Sequence, residues 1–233
     1  MDLRHIAADV TTALGLTSPP IALALADDRP AGVPAFEGTV PSACTFWRRA
    51  ETRAFYATAQ QHFRCPIGAM VMGFDMPPEV QAELMNLVGF MGQQGYVGAA
   101  EPALIPTLPR KAAGVVYGPL GDFPVEPQFV VLWLTPRQAM LMTEAAGTSH
   151  WTVTDPPALR GRPACAAIPL SGARRAATLS LGCAGMRTFT EVSDDRMLAV
   201  IPAASLEAVG RSLAATLAAN RTMDGFYAQR KAS

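Results

Sequence analysis

The chain has 233 residues, of which half are hydrophobic and only 16% are charged, and its 19 basic and 19 acidic side chains cancel. That balance excludes a disordered chain and gives no electrostatic footprint for nucleic acid or an anionic lipid surface. The length suits a single domain over 1–233 that buries its core without disulfide staples.

Along the chain, Leu3, Ile6, Val10 and Leu14 recur at helical spacing, so a helix is expected from Leu3 towards Leu16, weakened at Gly15. Thr17-Ser18-Pro19-Pro20 breaks it, and Ile21–Leu25 reads as a short buried strand before a Pro- and Gly-rich loop over Asp27–Pro41. Cys44 to Gly73 reads as helix in pieces, with Phe46, Trp47, Ala50, Ala54 and Phe55 on one face of the first piece. Cys65-Pro66 is a break, because proline restricts the residue before it and suits the first turn of a new helix. Met76-Pro77-Pro78-Glu79 opens another helix towards Gln94, ended by Gly95, with Gly89 and Gly92 weakening its last turns.

Ala113–Tyr117 reads as a strand, Gly118–Asp122 as a turn, and the apolar run Gln128–Leu134 as a central strand. Thr135 and Pro136 together start a helix through Ala146. Trp151–Gly185 reads as irregular with short strands, Met197–Ile201 as a strand, Ser205–Ala219 as an amphipathic helix and 222–233 as a polar tail. Helices and strands alternate without a regular βαβ rhythm. The expected class is therefore α+β: one compact domain with a mixed or antiparallel sheet flanked by helices. No segment approaches the roughly 20 apolar residues of a membrane span. The N-terminus shows an early acid and no apolar run of the signal-peptide kind. A cytoplasmic chain with no membrane and no nucleic-acid partner is expected.

Chemistry concentrates in the cysteines. Cys44, Cys65, Cys165 and Cys183 follow the pattern C-x20-C-x99-C-x17-C, without the tight CxxC knuckles of zinc ribbons or ferredoxin loops. In a reducing compartment four cysteines read as thiols or metal ligands, against the bland alternative of small buried hydrophobes. Their surroundings say more than their spacing. Cys44 and Cys65 fall where helices begin, where backbone N–H groups favour an anionic sulfur. Cys165 follows the turn Arg160-Gly161-Arg162-Pro163, and Cys183 is enclosed in Gly182-Cys183-Ala184-Gly185. His62, three residues before Cys65, is a candidate fourth ligand, a donor to a cluster sulfur, or a base for a Cys65 nucleophile, against a buried hydrogen-bonded histidine. Arg187 is a candidate partner for cluster charge or an anionic substrate, against a surface ion pair. Arg48 and Arg49 share that ambiguity. Phe46, Trp47, Phe55, Tyr56 and the methionines are either core or a wall around a centre. Nucleotide loops, G-x-S-x-G and H-E-x-x-H are absent from the sequence.

Several short motifs occur in order: Pro19-Pro20-Ile21-Ala22-Leu23, Cys44-Thr45-Phe46-Trp47-Arg48-Arg49-Ala50 and His62-Phe63-Arg64-Cys65-Pro66-Ile67-Gly68. Val116-Tyr117-Gly118-Pro119-Leu120, Thr135-Pro136-Arg137-Gln138-Ala139-Met140 and Ser180-Leu181-Gly182-Cys183-Ala184-Gly185-Met186-Arg187 follow. Through these the chain resembles the domain of unknown function 169 family over roughly Leu16 to Ala204. The resemblance implies no particular activity. It does centre three motifs on Cys44, Cys65 and Cys183, with Cys165 in a matching turn, which favours a shared centre.

Scattered ligands without knuckles favour an iron–sulfur cluster, a [4Fe–4S] centre, over zinc. The expectation is a small reductase or an electron-transfer or sulfur-handling accessory, working with a redox partner protein or a small-molecule substrate. The alternatives are a metal-free thiol enzyme using Cys65 with His62, and a non-catalytic module whose Met70–Met91 stretch lines a pocket for a hydrophobic ligand or a tetrapyrrole.

Overall fold

The computed structural model describes residues 2–150 and 158–232. Its strands are β1 (Ile21–Ala26), β2 (Phe55–Thr58), β3 (Gly114–Pro119), β4 (Phe129–Leu134), β5 (Ala158–Arg160), β6 (Thr178–Ser180) and β7 (Met197–Pro202). Its helices are α1 (Leu3–Leu14), α2 (Cys44–Arg49), α3 (Ala59–His62), α4 (Pro66–Val71), α5 (Pro78–Gln93), α6 (Glu101–Leu104), α7 (Pro136–Ala145), α8 (Ala167–Arg174), α9 (Ala184–Thr190) and α10 (Leu206–Ala232). The strands form one open sheet in the order β2-β3-β1-β4-β7-β6-β5. Neighbours are antiparallel except β5 and β6, which run parallel. The fold is thus α+β, a mixed sheet with helices around it.

Successive residues of a strand point to opposite faces, and that alternation divides the core in two. Ile21, Leu23, Val115, Tyr117, Val131, Trp133, Leu198 and Val200 pack on one face with residues of α2, α4, α8 and α9. Ala22, Ala24, Val116, Val130, Leu132, Leu134, Ala199 and Ile201 pack on the other with α1, α7 and α10. The central strands are buried on both sides, which is why β1, β4 and β7 read as continuous apolar runs. Each large side chain taken fully out of water, such as Phe46, Trp47 or Ile168, contributes about 1.5–3 kcal/mol. Cys44 and Cys165 belong to the first face, with Cys183 packed against it.

The expected elements mostly stand, with three departures. Phe55 and Tyr56 do not continue a helix: α2 ends at Arg49, and Phe55–Thr58 pairs with Gly114–Tyr117 of β3. A four-residue strand between helices carries too little periodicity to show in sequence, and pairing with β3 overrides it. Residues expected to be irregular form α8 and the first residues of α9. Pro169 and Gly172 mask α8 as a helix former, and its burial of Ala167, Ile168 and Ser171 stabilises it instead. The remainder of that expectation, over residues 151–157, lies outside the described residues. The polar tail is helical, since α10 runs through to Ala232, with its last two turns exposed.

One side chain joins the second face together. Thr135 and Gln138 form a capping box at the start of α7. The Gln138 amide also donates to the Leu14 and Gly15 carbonyls at 2.9 and 3.1 Å, satisfying the open C-terminal end of α1. Gln138→Ala is expected to lower the unfolding free energy by about 2 kcal/mol, through the lost cap and the orphaned carbonyls. Urea unfolding of the variant beside the parent measures it.

Candidate functional site

Each cysteine stands where a helical segment begins. Cys44 is the first residue of α2, and its N–H donates to Ser42 Oγ at 3.3 Å. Cys65 is the N-cap of α4, with Pro66 at the first helical position. Cys165 lies in the 3-10 turn Ala164–Ala166 that runs directly into α8. Cys183 is the N-cap of α9, and its Sγ accepts from the Met186 N–H at 3.4 Å. Gly182 precedes it with φ of 87°, and a Cβ there would lie 2.5 Å from Met186 Cε, so only glycine fits this turn. Close approach also explains Gly68, whose absent Cβ would lie 2.7 Å from Ala43 Cβ and 3.1 Å from Cys65 Sγ. A side chain at this position would push α4 away from Ala43 at the start of α2.

All four cysteines line one cavity of about 430 Å3. Cys44 and Cys165 are buried, while Cys65 and Cys183 are partly exposed. The rest of the lining is mainly apolar: Ile67 and Met70 of α4, Leu84, Val88 and Met91 of α5, and Phe189 of α9. The α5–α6 segment forms one wall and is fastened to the opposite one by polar contacts. The Tyr96 hydroxyl accepts from the Ala184 N–H at 3.2 Å, next to Cys183. Arg162 stacks over the Tyr96 ring at 4.6 Å and stands 3.6 Å from Glu101.

The electrostatics follow from burial. The Cys44 thiol is pushed well above its ordinary pKa, first by desolvation and then by Cys183 and Cys65, with the Ser42 hydrogen bond opposing. Cys165 is raised likewise, by desolvation and then by Cys44, Cys65 and Cys183. The four thiols therefore feel one another, and the buried pair stays protonated unless positive charge is brought among them. Lining arginines are Arg64 and Arg162.

His62 is fully buried but does not line the cavity. Its ring is enclosed by Phe46 and Phe74, with centroids at 4.6 and 4.8 Å. Nδ1 lies 2.7 Å from the Thr58 carbonyl oxygen, which only accepts, so Nδ1 carries the proton. Nε2 then accepts from the Tyr117 hydroxyl at 2.9 Å. Both nitrogens are thus engaged, and neither meets the Cys65 sulfur. Desolvation lowers the imidazole pKa to about 4, against a smaller opposing effect of the Thr58 hydrogen bond. Tyr117, bonded to His62, has its hydroxyl pKa raised by burial and then by Cys44, Cys165 and Cys65.

Arg187 turns back on its own loop. Nη2 donates to the carbonyls of Leu181 at 2.7 Å and Arg196 at 3.1 Å, which fixes the turn that presents Cys183. Arg48 pairs with Glu51 at 2.5 Å and lies away from the cavity. Phe46, Trp47 and Phe55 are core beneath the cavity, and Tyr56 belongs to the opposite face of the sheet. Met70, Met85, Met91 and Met186 do line it. Sequence reading gave no role to Tyr117, Arg64, Tyr96 or Arg162. A tyrosine inside an otherwise apolar strand needs a buried partner, and that was the one available signal.

Among the described residues, no group of three or more His, Cys, Asp or Glu side chains is disposed to hold a metal ion. The four thiols nevertheless line the same cavity. Among the same residues, no helix is long and apolar enough to cross a membrane.

Fold and site together define an α+β protein with a four-thiol cavity on one face of a mixed sheet. The profile of DUF169, Uncharacterised ArCR, matches residues 9–211, and the chain belongs to that family. No curated protein and no solved structure gives a significant match.

The buried imidazole makes stability depend on pH. Unfolded, His62 titrates near its ordinary 6.5, and folded near 4. Between those values the unfolded chain takes up a proton that the folded one refuses. The His62 contribution is therefore complete above pH 6.5 and is lost as pH falls towards 4. The expected loss is about 3 kcal/mol. Urea unfolding at stepped pH should show that slope in the parent and a flatter one in His62→Gln.

Proposed function

We propose that this chain is an iron–sulfur redox protein whose centre is held by Cys44, Cys65, Cys165 and Cys183, and that it serves as a small reductase or an electron-transfer or sulfur-handling accessory. One observation carries the reading: four cysteines scattered over most of the sequence line a single cavity. The donor set fits such a group. Thiolate sulfur suits zinc or iron–sulfur clusters, and four ligands scattered without the tight CxxC knuckles usual at structural zinc favour the cluster.

The group supplies one-electron chemistry when bound. The chain's own residues do the rest. The four thiols lose their protons to become ligands, and incoming positive charge offsets the desolvation that keeps Cys44 and Cys165 neutral. Arg187 and Gly182 hold the Cys183 turn in place. The aliphatic and thioether lining limits water at the sulfurs, most of all at the buried Cys44 and Cys165. A reducing, cytoplasmic setting belongs to this reading, because there thiols stay available as ligands.

Purified without oxygen, the protein is expected to be brown, with a broad absorbance shoulder near roughly 400 nm and with bound iron and inorganic sulfide. Cys44→Ser and Cys165→Ser should each lose most of that iron. Colourless, iron-free protein from iron-replete anaerobic cells overturns the cluster, and stoichiometric zinc in its place replaces it with a different centre.

A further inference from the structure

The cavity is larger than its thiol end. Its volume of about 430 Å3 lies in the range of small-molecule sites, roughly 300–1,000 Å3. Its far part is walled by α5, a helix with an odd economy: Val80, Leu84, Met85, Leu87, Val88, Phe90 and Met91 are all apolar, yet only Val80 and Leu84 are buried. Met85 is 68% exposed and Phe90 60%. The inner side of this helix meets an open chamber where a core would normally be. Water is poorly held by such walls, since an ordered water needs two to four polar partners. Methionines at 70, 85 and 91 give the lining a surface that adapts to different shapes.

Charge at the lining is sparse and uneven. Arg162 is already met by Glu101 and the Tyr96 ring. Glu83 reaches the lining from α5. Arg64, the residue before Cys65, is exposed, lines the chamber, and has no hydrogen-bond or ion-pair partner among the described residues. It leaves one free guanidinium beside the thiol end of an apolar chamber.

We propose that this chamber binds an apolar organic molecule bearing one anionic group, with its body against Ile67, Leu84, Val88, Met91 and Phe189 and its anionic head at Arg64. As the substrate of a redox centre, such a molecule rests on the reading above; as a ligand, it rests on the chamber alone.

The test uses the full chain, both as purified without oxygen and after stripping of metal. Binding of 1-anilinonaphthalene-8-sulfonate is followed by fluorescence, with displacement by decanoate, decanol and decyltrimethylammonium. Decanoate is expected to displace the dye best. Arg64→Gln, a surface change, should weaken decanoate about fivefold, the scale of one exposed ion pair, and leave decanol unchanged. Val88→Trp should fill the chamber and weaken decanoate at least tenfold, with Met91→Trp as the second variant if circular dichroism shows Val88→Trp unfolded. Failure of decanoate to compete, equal binding of the cationic analogue, or unchanged binding in both tryptophan variants overturns the proposal. Iron and sulfide are measured on the same preparations. Brown protein that ignores decanoate overturns only this inference, and iron-free protein that binds it through Arg64 overturns only the redox reading.

Discussion

Removing a thiolate from water is costly, and bringing four thiols together multiplies that cost through mutual repulsion. This constraint shapes the whole of one sheet face. Burial and like charge together hold Cys44 and Cys165 in their neutral form. The protein answers with geometry: each cysteine is placed at the beginning of a helical segment, where the positive end of the peptide dipoles favours negative charge on sulfur. The Met186 N–H to Cys183 Sγ contact is the direct instance. The sheet beneath supplies rigidity, because central strands packed on both faces cannot shift without disturbing two cores at once.

The two faces of the sheet do different work. On the α1, α7 and α10 side, packing is aliphatic and Gln138 ties the helix ends together. On the other side, aromatic rings and a neutral imidazole form a firm floor, and the cysteines rise from it into a cavity with adaptable walls. The Tyr117–His62–Thr58 chain belongs to the floor: it satisfies the buried hydroxyl and both imidazole nitrogens, and it ends on a backbone carbonyl.

Sequence patterns revealed those elements whose signal is local. β1, β4 and β7 are apolar runs bounded by breakers, and α1 and α7 carry helical spacing with a cap or stop residue, so their places were legible. β2 was not, because Phe55–Thr58 becomes a strand only through β3, nearly sixty residues on. α8 was not, because burial outweighs the poor helix propensity of Pro169 and Gly172. At the site, the glycine and proline neighbours of Cys44, Cys65 and Cys183 marked those thiols, while spacing said nothing of their meeting, which tertiary packing decides. His62 looked like a ligand because only its chain neighbour Cys65 was visible; its actual partner is Tyr117, brought by a different strand. Arg187 looked available to an anion, and the carbonyls of Leu181 and Arg196 claim it instead.

The dispersal of the thiols along the chain has a consequence for biosynthesis. Cys44 and Cys65 leave the ribosome long before Cys183, and the α9 turn that orients Cys183 depends on Arg187 reaching the Arg196 carbonyl. No nascent chain shorter than that can present the complete set. The four thiols are therefore gathered only after synthesis has passed Arg196, which makes the cavity a late product of folding rather than a feature of any emerging segment.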